Sequence, residues 1–352
     1  MTSEQWLPSK GTLVHTSSAR FEQQDVKRID IVQLQPTDRP IEDRFSLSDT
    51  ENGLVCGVYD GHGGSETADY ISKELPNRIA AALKKADKQD RSQRVIDACL
   101  QLDREIHESF TSTFSFLRSL PFQDHILSSL LNRDHICIKA QRAKAGSTAL
   151  VACISSGHVE LVNVGDCRAI MTIRDAISNQ DITNEQLTND QNPHNSEEVR
   201  RLRAEHPDEE ETVIMQNRVL GRVGTTRSFG DIYYKEKDKW FALNVMAHSK
   251  LTPKHGLSWK HQADVLFGYY KSPPYLTAKP EVTESSLIPG AIFVLATDGL
   301  WSRVENEWVA ENVWKGLDAR EENLALYLIK RMQEEDRNPG DDTTILVVHL
   351  RD

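Results

Sequence analysis

Three short apolar runs between residues 148 and 174 constrain the fold more than any other part of the chain. They read TALVACI, HVELVNVG and RAIMTIR, and turn residues such as Gly157 separate them. Runs of this length, rich in β-branched residues and closely spaced, are typical of neighbouring antiparallel strands. We therefore predict an antiparallel meander over this segment.

Helical spacing of apolar residues appears on both sides of these runs. Ile71, Leu75 and Ile79 lie four apart, which predicts an amphipathic helix that Pro76 either kinks or divides in two. Further helices are predicted at Val95–Phe110, Glu197–His206, Trp308–Trp314 and Glu321–Met332, and strands at IFVLAT and TTILVVHL. Because strands and helices do not alternate strictly, an α+β layered domain fits better than a parallel sheet.

Composition and charge exclude several classes of function. Hydrophobic residues make up 38% of the 352 residues, enough for a globular core. No apolar run approaches the ~18 residues of a membrane span, so no membrane partner is expected. The formal net charge is −11, and no stripe of Lys or Arg is present. We therefore expect no nucleic-acid partner. The five cysteines are scattered and predict buried thiols.

Acidic residues lie at the ends of several predicted strands. Asp60 follows LVCGVY, Asp166 follows ELVNVG, Asp298 follows IFVLAT, Asp341 and Asp342 precede TTILVVHL, and Glu42 and Asp43 precede RFSLS. Each alone is an ordinary turn residue. Gathered at one edge, they would repel one another unless a hard cation such as Mg²⁺ or Mn²⁺ neutralised them. The residues alone leave a metal site and a set of turns as equal alternatives.

Six ordered motifs resemble those of the PPM-type (type 2C) metal-dependent serine/threonine protein phosphatases. They are VYDGHGG, GSTALVACI, VNVGDCRAI, TRSFGD, FVLATDGLW and GDDTTILVV, and they extend over nearly the whole chain. The resemblance implies a four-layer αββα sandwich in which two mainly antiparallel sheets are flanked by helices. It implies an N-terminal extension over 1–37 and a phosphatase domain over 38–352, with an insertion at about 233–280.

The resemblance also assigns roles to particular residues. Asp60 would bridge two Mg²⁺ or Mn²⁺ ions, and the Gly61 carbonyl would reach one of them. Asp298 and Asp341 would complete the ligand shell of the other ion, and Glu42 and Asp43 would hold waters on the ions. Asp166 would bind a weaker third ion, and His62 would act as the general acid. Asp342 would contact these ligands without binding an ion itself.

Two positions depart from the family pattern. Many members place a phosphate-binding Arg where Asp38 stands here, and Arg39, one residue away, is the candidate for that contact. Ser302 stands where an acid often assists the third ion. Neither change touches the two-ion core, so an active enzyme is expected.

The stretches PIEDR and LTNDQNPHNSEEVRRLRAEHP are most similar to the pyruvate dehydrogenase phosphatase branch. That similarity implies a phosphoprotein substrate, the E1 component of pyruvate dehydrogenase, and a location in the mitochondrial matrix. The N-terminal residues show no clear transit peptide, and a cytoplasmic phosphatase stays open. A pseudophosphatase that binds a phosphoprotein without turnover is the alternative function, and a metal-stabilised scaffold is a third.

Other charged and aromatic residues carry less specific expectations. Aromatic residues of the insertion, Trp240, Trp259, Tyr269, Tyr270 and Tyr275, are expected to pin a long loop to its own domain, with a docking surface as the alternative. Arg142 and Lys144 are expected to be solvated surface charges.

Overall fold

The computed structural model describes residues 8–21, 25–50, 53–84, 90–116, 124–155, 157–175, 181–238 and 270–351. Its strands are β1 Thr12–Arg20, β2 Val26–Gln35, β3 Arg44–Thr50, β4 Gly53–Tyr59, β5 Gly61–His62, β6 Gly146–Ser147, β7 Ala149–Ser155, β8 His158–Val164, β9 Arg168–Arg174, β10 Ile182–Gln186, β11 Ile214–Met215, β12 Arg218–Val219, β13 Phe229–Gly230, β14 Glu281–Ser286, β15 Ile292–Ala296 and β16 Thr343–Leu350. Its helices are α1 Glu66–Lys84, α2 Arg91–Phe114, α3 Asp124–Leu131, α4 Asp134–Lys144, α5 Ser196–Glu205, α6 Asp298–Trp301, α7 Asn306–Asp318 and α8 Leu324–Glu334.

Two large antiparallel sheets form the centre of the molecule. The first has the strand order β1-β2-β16-β15-β9-β10, and the second has the order β14-β8-β7-β4-β3. The sequence analysis placed Thr12–Arg20 and Val26–Gln35 in an N-terminal extension, but they form β1 and β2 of the six-stranded sheet, and β2 pairs with β16.

The predicted three-stranded meander is only partly correct. The first two apolar runs pair as β7 and β8, but the third run forms β9 in the other sheet, between β15 and β10. Gly165 has a φ of 109°, which a residue with a side chain rarely adopts, and it turns the chain where β8 ends. The chain therefore crosses between the sheets at Asp166 instead of closing a second hairpin.

Three apolar clusters define four layers. One lies between the two sheets and includes Leu54, Leu161 and Phe293. A second joins the five-stranded sheet to α1, α2 and α4, and the third joins the six-stranded sheet to α6, α7 and α8. The order is thus helices, sheet, sheet, helices, as the resemblance implies. Burial of these apolar faces is the main stabilising contribution to the fold.

The first helix is continuous. α1 runs through Pro76, and Ile71, Leu75 and Ile79 are fully buried along one face. Pro76 removes one backbone hydrogen bond of the helix, but it is itself buried in the same packing face. Tertiary packing therefore keeps α1 as one helix, although the sequence also allowed Pro76 to divide it in two.

A smaller subdomain beside the two sheets contains α5 and the β11–β12 hairpin. Its apolar cluster includes Leu202, Tyr234, Tyr270 and Tyr275. Burial of Tyr270 and Tyr275 agrees with the expectation that these aromatic residues pin the chain to its own domain. Trp240, Trp259 and Tyr269 lie outside the described residues.

Two further sequence expectations concern membranes and thiols. Within the described ranges, none of the helices has the length and apolar character needed to cross a bilayer. Four of the five cysteines are buried and Cys137 is half-buried, and all five are free thiols, as predicted.

Candidate active site

The ends of the central strands bring several carboxylates together. Asp60 follows β4, Asp298 begins α6 directly after β15, and Asp166 lies in the crossing from β8 to β9. Burial raises the pKa of Asp60 well above its usual value, and the neighbouring carboxylates of Asp298, Asp43, Asp166 and Asp341 raise it further. The clustering that the strand-end pattern suggested is therefore present.

The other members of this cluster repel one another in the same way. Burial, with a contribution from Asp298, raises the pKa of Asp166 to about 7. Burial and the charge of Asp341 raise the pKa of Asp298, although a hydrogen bond with Asp60 opposes the shift. The protein thus holds these acids where ionisation is costly unless positive charge is supplied.

Asp43 is the most deeply buried of the acids. It is fully buried, and its Oδ2 accepts hydrogen bonds from the hydroxyls of Thr297 and Thr344, each at 2.8 Å. Its Oδ1 has no hydrogen-bond partner in the part of the chain that the structure describes. Burial, followed by the charges of Asp342 and Asp298, raises its pKa well above the usual value. An unpartnered buried carboxylate oxygen of this kind requires a partner such as a bound water or a cation.

The two acids that precede β16 differ in exposure. Asp341 is exposed, whereas Asp342 is half-buried. Oδ2 of Asp342 accepts the backbone N–H of Glu42 at 2.6 Å, which fixes the loop that carries Glu42. Burial raises the pKa of Glu42, and His62 opposes that shift.

Gly61 lies where the backbone has no room for a side chain. A Cβ at this position would collide with the Glu42 carbonyl oxygen. Gly61 and His62 form β5, which pairs with Gly146 and Ser147 of β6. β6 also pairs with β13, which ends at Gly230, so this three-stranded sheet carries His62 toward the loop after β13.

His62 forms an ion pair with Asp231, a residue to which the sequence analysis gave no role. The distance from His62 Nε2 to Asp231 Oδ2 is 2.8 Å, and the His62 side chain is 35% exposed whereas that of Asp231 is 5% exposed. Burial disfavours the charged ring, but the Asp231 carboxylate, with help from Asp166 and Glu42, outweighs it and raises the pKa of His62. Asp231 is the only acidic residue of the motif TRSFGD, and its place in that motif is the one sequence signal that points to it.

Arg39, the predicted phosphate-binding residue, is more exposed than Asp60, Asp166 and Asp298. It is exposed on the loop between β2 and β3, and its side chain makes no ion pair with any residue that the structure describes.

Arg142 and Lys144 are half-buried, so their assignment as solvated surface charges is wrong. The Arg142 guanidinium lies 3.8 Å from the centre of the Tyr70 ring. Lys144 Nζ donates to the Gly63 carbonyl at 3.1 Å, one residue from His62.

A cleft of about 670 Å³ opens beside the carboxylates. Its lining includes Asp166, Asp298, Trp301, Ser302, Arg168 and Arg218. Arg168 is paired with Asp190, Nη2 to Oδ2 at 2.6 Å, and donates to Asn306.

The side-chain positions do not form a closed ion-binding shell. Among the described residues, no group of three or more His, Cys, Asp and Glu side chains is arranged to hold a metal ion as it stands. The structure brings Asp60, Asp298, Asp166 and Asp43 into electrostatic contact, with Asp341 acting from the surface.

Comparison with known proteins identifies the family. The family described as protein phosphatase 2C matches residues 34–337. The chain belongs to the protein phosphatase 2C family. Human mitochondrial [pyruvate dehydrogenase [acetyl-transferring]]-phosphatase 2 is 28% identical over 333 residues, which cover 78% of this chain and 58% of that protein. The mitochondrial phosphatase 1 of the same type from Saccharomyces cerevisiae is 30% identical over 85% of this chain and 52% of its own length.

The chain therefore spans little more than half the length of these curated relatives. A probable protein phosphatase 2C 43 from rice is 29% identical over 88% of this chain and 74% of that protein. Among solved structures, the serine-threonine phosphatase 2C from Toxoplasma gondii aligns with a TM-score of 0.59 at 17% identity, covering 96% of this chain and 99% of its own. This likeness supports the protein phosphatase 2C fold, the αββα sandwich described above.

Proposed function

We propose that this chain is a protein serine/threonine phosphatase that hydrolyses phosphoserine and phosphothreonine with the help of divalent cations. The observation that carries the proposal is the group of carboxylates around Asp60, whose pKa is raised by burial and by the charges of Asp298, Asp43, Asp166 and Asp341. Membership of the protein phosphatase 2C family supports the same activity.

The residues present fit hard divalent cations such as Mg²⁺ or Mn²⁺. Carboxylate and carbonyl oxygens are the donors that these ions prefer, and Asp43 keeps one buried oxygen without a hydrogen-bond partner in the described chain. We assign Asp60, Gly61, Asp298 and Asp341 as direct ligands of two ions, with Glu42 and Asp43 around them. Asp166 is assigned to a weaker third ion.

Cations bound here would supply a water activated near neutral pH and positive charge for the phosphoryl oxygens. The chain's own groups would do the rest. His62, 35% exposed beside Asp60, would donate a proton to the departing Ser or Thr oxygen. Arg39, exposed on the loop that carries Glu42, would contact the phosphate. The cleft lined by Asp298 and Trp301 would hold the peptide.

The named relatives support a proposal for the substrate and the compartment. Two of them are mitochondrial pyruvate dehydrogenase phosphatases. We therefore propose the E1 component of pyruvate dehydrogenase as substrate and the mitochondrial matrix as location. A phosphorylated E1 peptide and an unrelated phosphothreonine peptide, assayed side by side, test this preference.

Hydrolysis of a phosphothreonine peptide tests the activity itself. Wild type, Asp298→Asn and the control Asp318→Asn are each assayed with Mn²⁺ and with EDTA. Asp318 is a surface carboxylate, 60% exposed and paired with Arg174, so its loss should leave turnover unchanged. Asp298→Asn should reduce turnover by more than about 100-fold, the upper loss typical when only an outer partner of a metal ligand is changed. A folded wild type without turnover would instead favour a pseudophosphatase.

A further inference from the structure

Asp231 is a buried carboxylate that is aimed at the imidazole of His62. Its side chain is 5% exposed, and Oδ2 lies 2.8 Å from His62 Nε2. The same oxygen accepts the Ser228 hydroxyl at 2.6 Å. A buried carboxylate held in this way fixes the orientation and the tautomer of the ring that it contacts.

The backbone around Asp231 is built to maintain this contact. Asp231 has a φ of 53° and a ψ of 44°, a left-handed conformation that costs about 1 kcal/mol for a residue with a side chain. Its N–H donates to the Ala145 carbonyl at 3.1 Å. A Cβ at Gly146 would collide with both His62 Nε2 and the Asp231 carboxylate. Glycine at this position therefore lets the two side chains meet.

A second set of contacts anchors the loop from the side of α2. Asp103 of α2 accepts the Gly230 N–H at 2.8 Å and the Lys235 ammonium at 2.7 Å. The Lys235 side chain is 7% exposed, so this ion pair is largely shielded from water. Asp103 therefore fixes the loop on either side of Asp231.

We propose that Asp231 is a positioning residue for proton transfer by His62, an inference that rests on the proposed phosphatase activity. Because Nε2 is engaged by Asp231, Nδ1 is the nitrogen that can protonate the substrate. The attacking water oxygen bonds to phosphorus and releases a proton to solvent, while the bond between phosphorus and the Ser or Thr oxygen breaks. The electron pair stays on that oxygen, which takes the Nδ1 proton, and the ring recovers a proton from solvent.

Two substrates with different leaving groups distinguish positioning from a general structural role. A phosphoserine peptide releases a strongly basic alkoxide that needs protonation, whereas p-nitrophenyl phosphate releases a nitrophenolate that does not. Asp231→Asn should lower kcat on the peptide by about 100-fold and on p-nitrophenyl phosphate by less than about threefold, as expected when only acid catalysis is lost. Asn adopts the left-handed backbone as readily as Asp, so the fold should persist.

Asp318→Asn is the matched control. It removes a surface carboxylate that is 60% exposed and pairs with Arg174, so it should leave both rates unchanged. His62→Gln should reproduce the substrate dependence of Asp231→Asn, and the double variant should be no slower than His62→Gln, since the two residues act as a unit. Equal losses on both substrates in Asp231→Asn, or no loss, would overturn the proposal.

This design separates failure of the inference from failure of the proposed activity. A wild type that hydrolyses neither substrate would refute the phosphatase activity itself. An active wild type in which His62→Gln shows the substrate dependence and Asp231→Asn does not would refute only the role of Asp231.

Discussion

Glu198, on α5 of the smaller subdomain, forms a buried ion-pair network whose contribution to stability can be measured. Its side chain is 5% exposed, and its carboxylate accepts Arg227 Nε at 3.0 Å, Arg201 Nη2 at 2.8 Å and the Thr226 hydroxyl at 2.6 Å. Burial alone would raise its pKa, but the hydrogen bonds from Arg227, Arg201 and Thr226 outweigh it and lower the pKa from 4.5 to about 2.

The free energy that this network contributes follows from the shift. A difference of about 2.5 pKa units corresponds to about 3 kcal/mol. Because the partner side chains of Arg201 and Arg227 are partly exposed to solvent, screening reduces this to about 2 kcal/mol. A lowered pKa contributes stability that is fully present above the unfolded value of 4.5 and is lost as the pH falls through about 2. At about pH 3.5, about 60% of the contribution should remain.

Urea unfolding of wild type and Glu198→Gln at neutral pH and at about pH 3.5 measures this contribution. Glu198→Gln should lower the free energy of unfolding by about 2 kcal/mol at neutral pH and by clearly less in acid. Glu197→Gln is the control, because Glu197 is 71% exposed on the same helix and pairs with Arg200; its loss should cost less than about 0.5 kcal/mol. The same loss for Glu198→Gln at both pH values would refute the reasoning.

Two further substitutions test the site directly. Gly146→Ala should reduce peptide hydrolysis by at least about tenfold while the protein stays folded by circular dichroism, because the added methyl group collides with His62 and Asp231; unchanged kcat would contradict the packing described here. Arg39→Ala should raise KM for a phosphopeptide by about three- to tenfold with little change in kcat, because the lost contact is made equally in the ground and transition states. Steady-state kinetics on one peptide measures both constants. An unchanged KM would show that Arg39 does not contact the phosphate.

Much of the architecture follows from local patterns. The spacing of Ile71, Leu75 and Ile79 defines the buried face of α1, and the alternation of apolar runs with turns defines β7 and β8. The sheet to which β9 belongs could not be deduced in this way. Only Asp166 and Cys167 follow the turn at Gly165 before β9 begins, and so short a connection suits a hairpin as well as a crossing between sheets. Packing of β9 against β15, whose paired residues lie 120 to 128 positions away, decides between them.

In the candidate site, too, local sequence patterns predict some contacts, and only the folded structure shows the others. Carboxylates at strand ends suggested that Asp60, Asp166 and Asp298 gather, because each follows an apolar run directly, and the structure brings them together. Asp231 had no comparable signal, since its partner His62 is 169 residues away in the chain. Pairing of β5 with β6, and of β6 with β13, creates that contact, and such pairing is a property of the folded chain alone.

Thermal unfolding in the presence and absence of Mn²⁺ tests most directly whether these acids gather to hold cations. Mn²⁺ at about 100 times its dissociation constant should stabilise the wild type by about 2.7 kcal/mol and raise its Tm by several degrees. Without metal, Asp60→Asn should unfold at or above the wild-type Tm, because it relieves repulsion from Asp298, Asp43 and Asp166, and Mn²⁺ should raise its Tm much less. A wild-type Tm that does not respond to Mn²⁺, or an Asp60→Asn variant that responds fully, would contradict the assignment of this cluster as a divalent-metal centre.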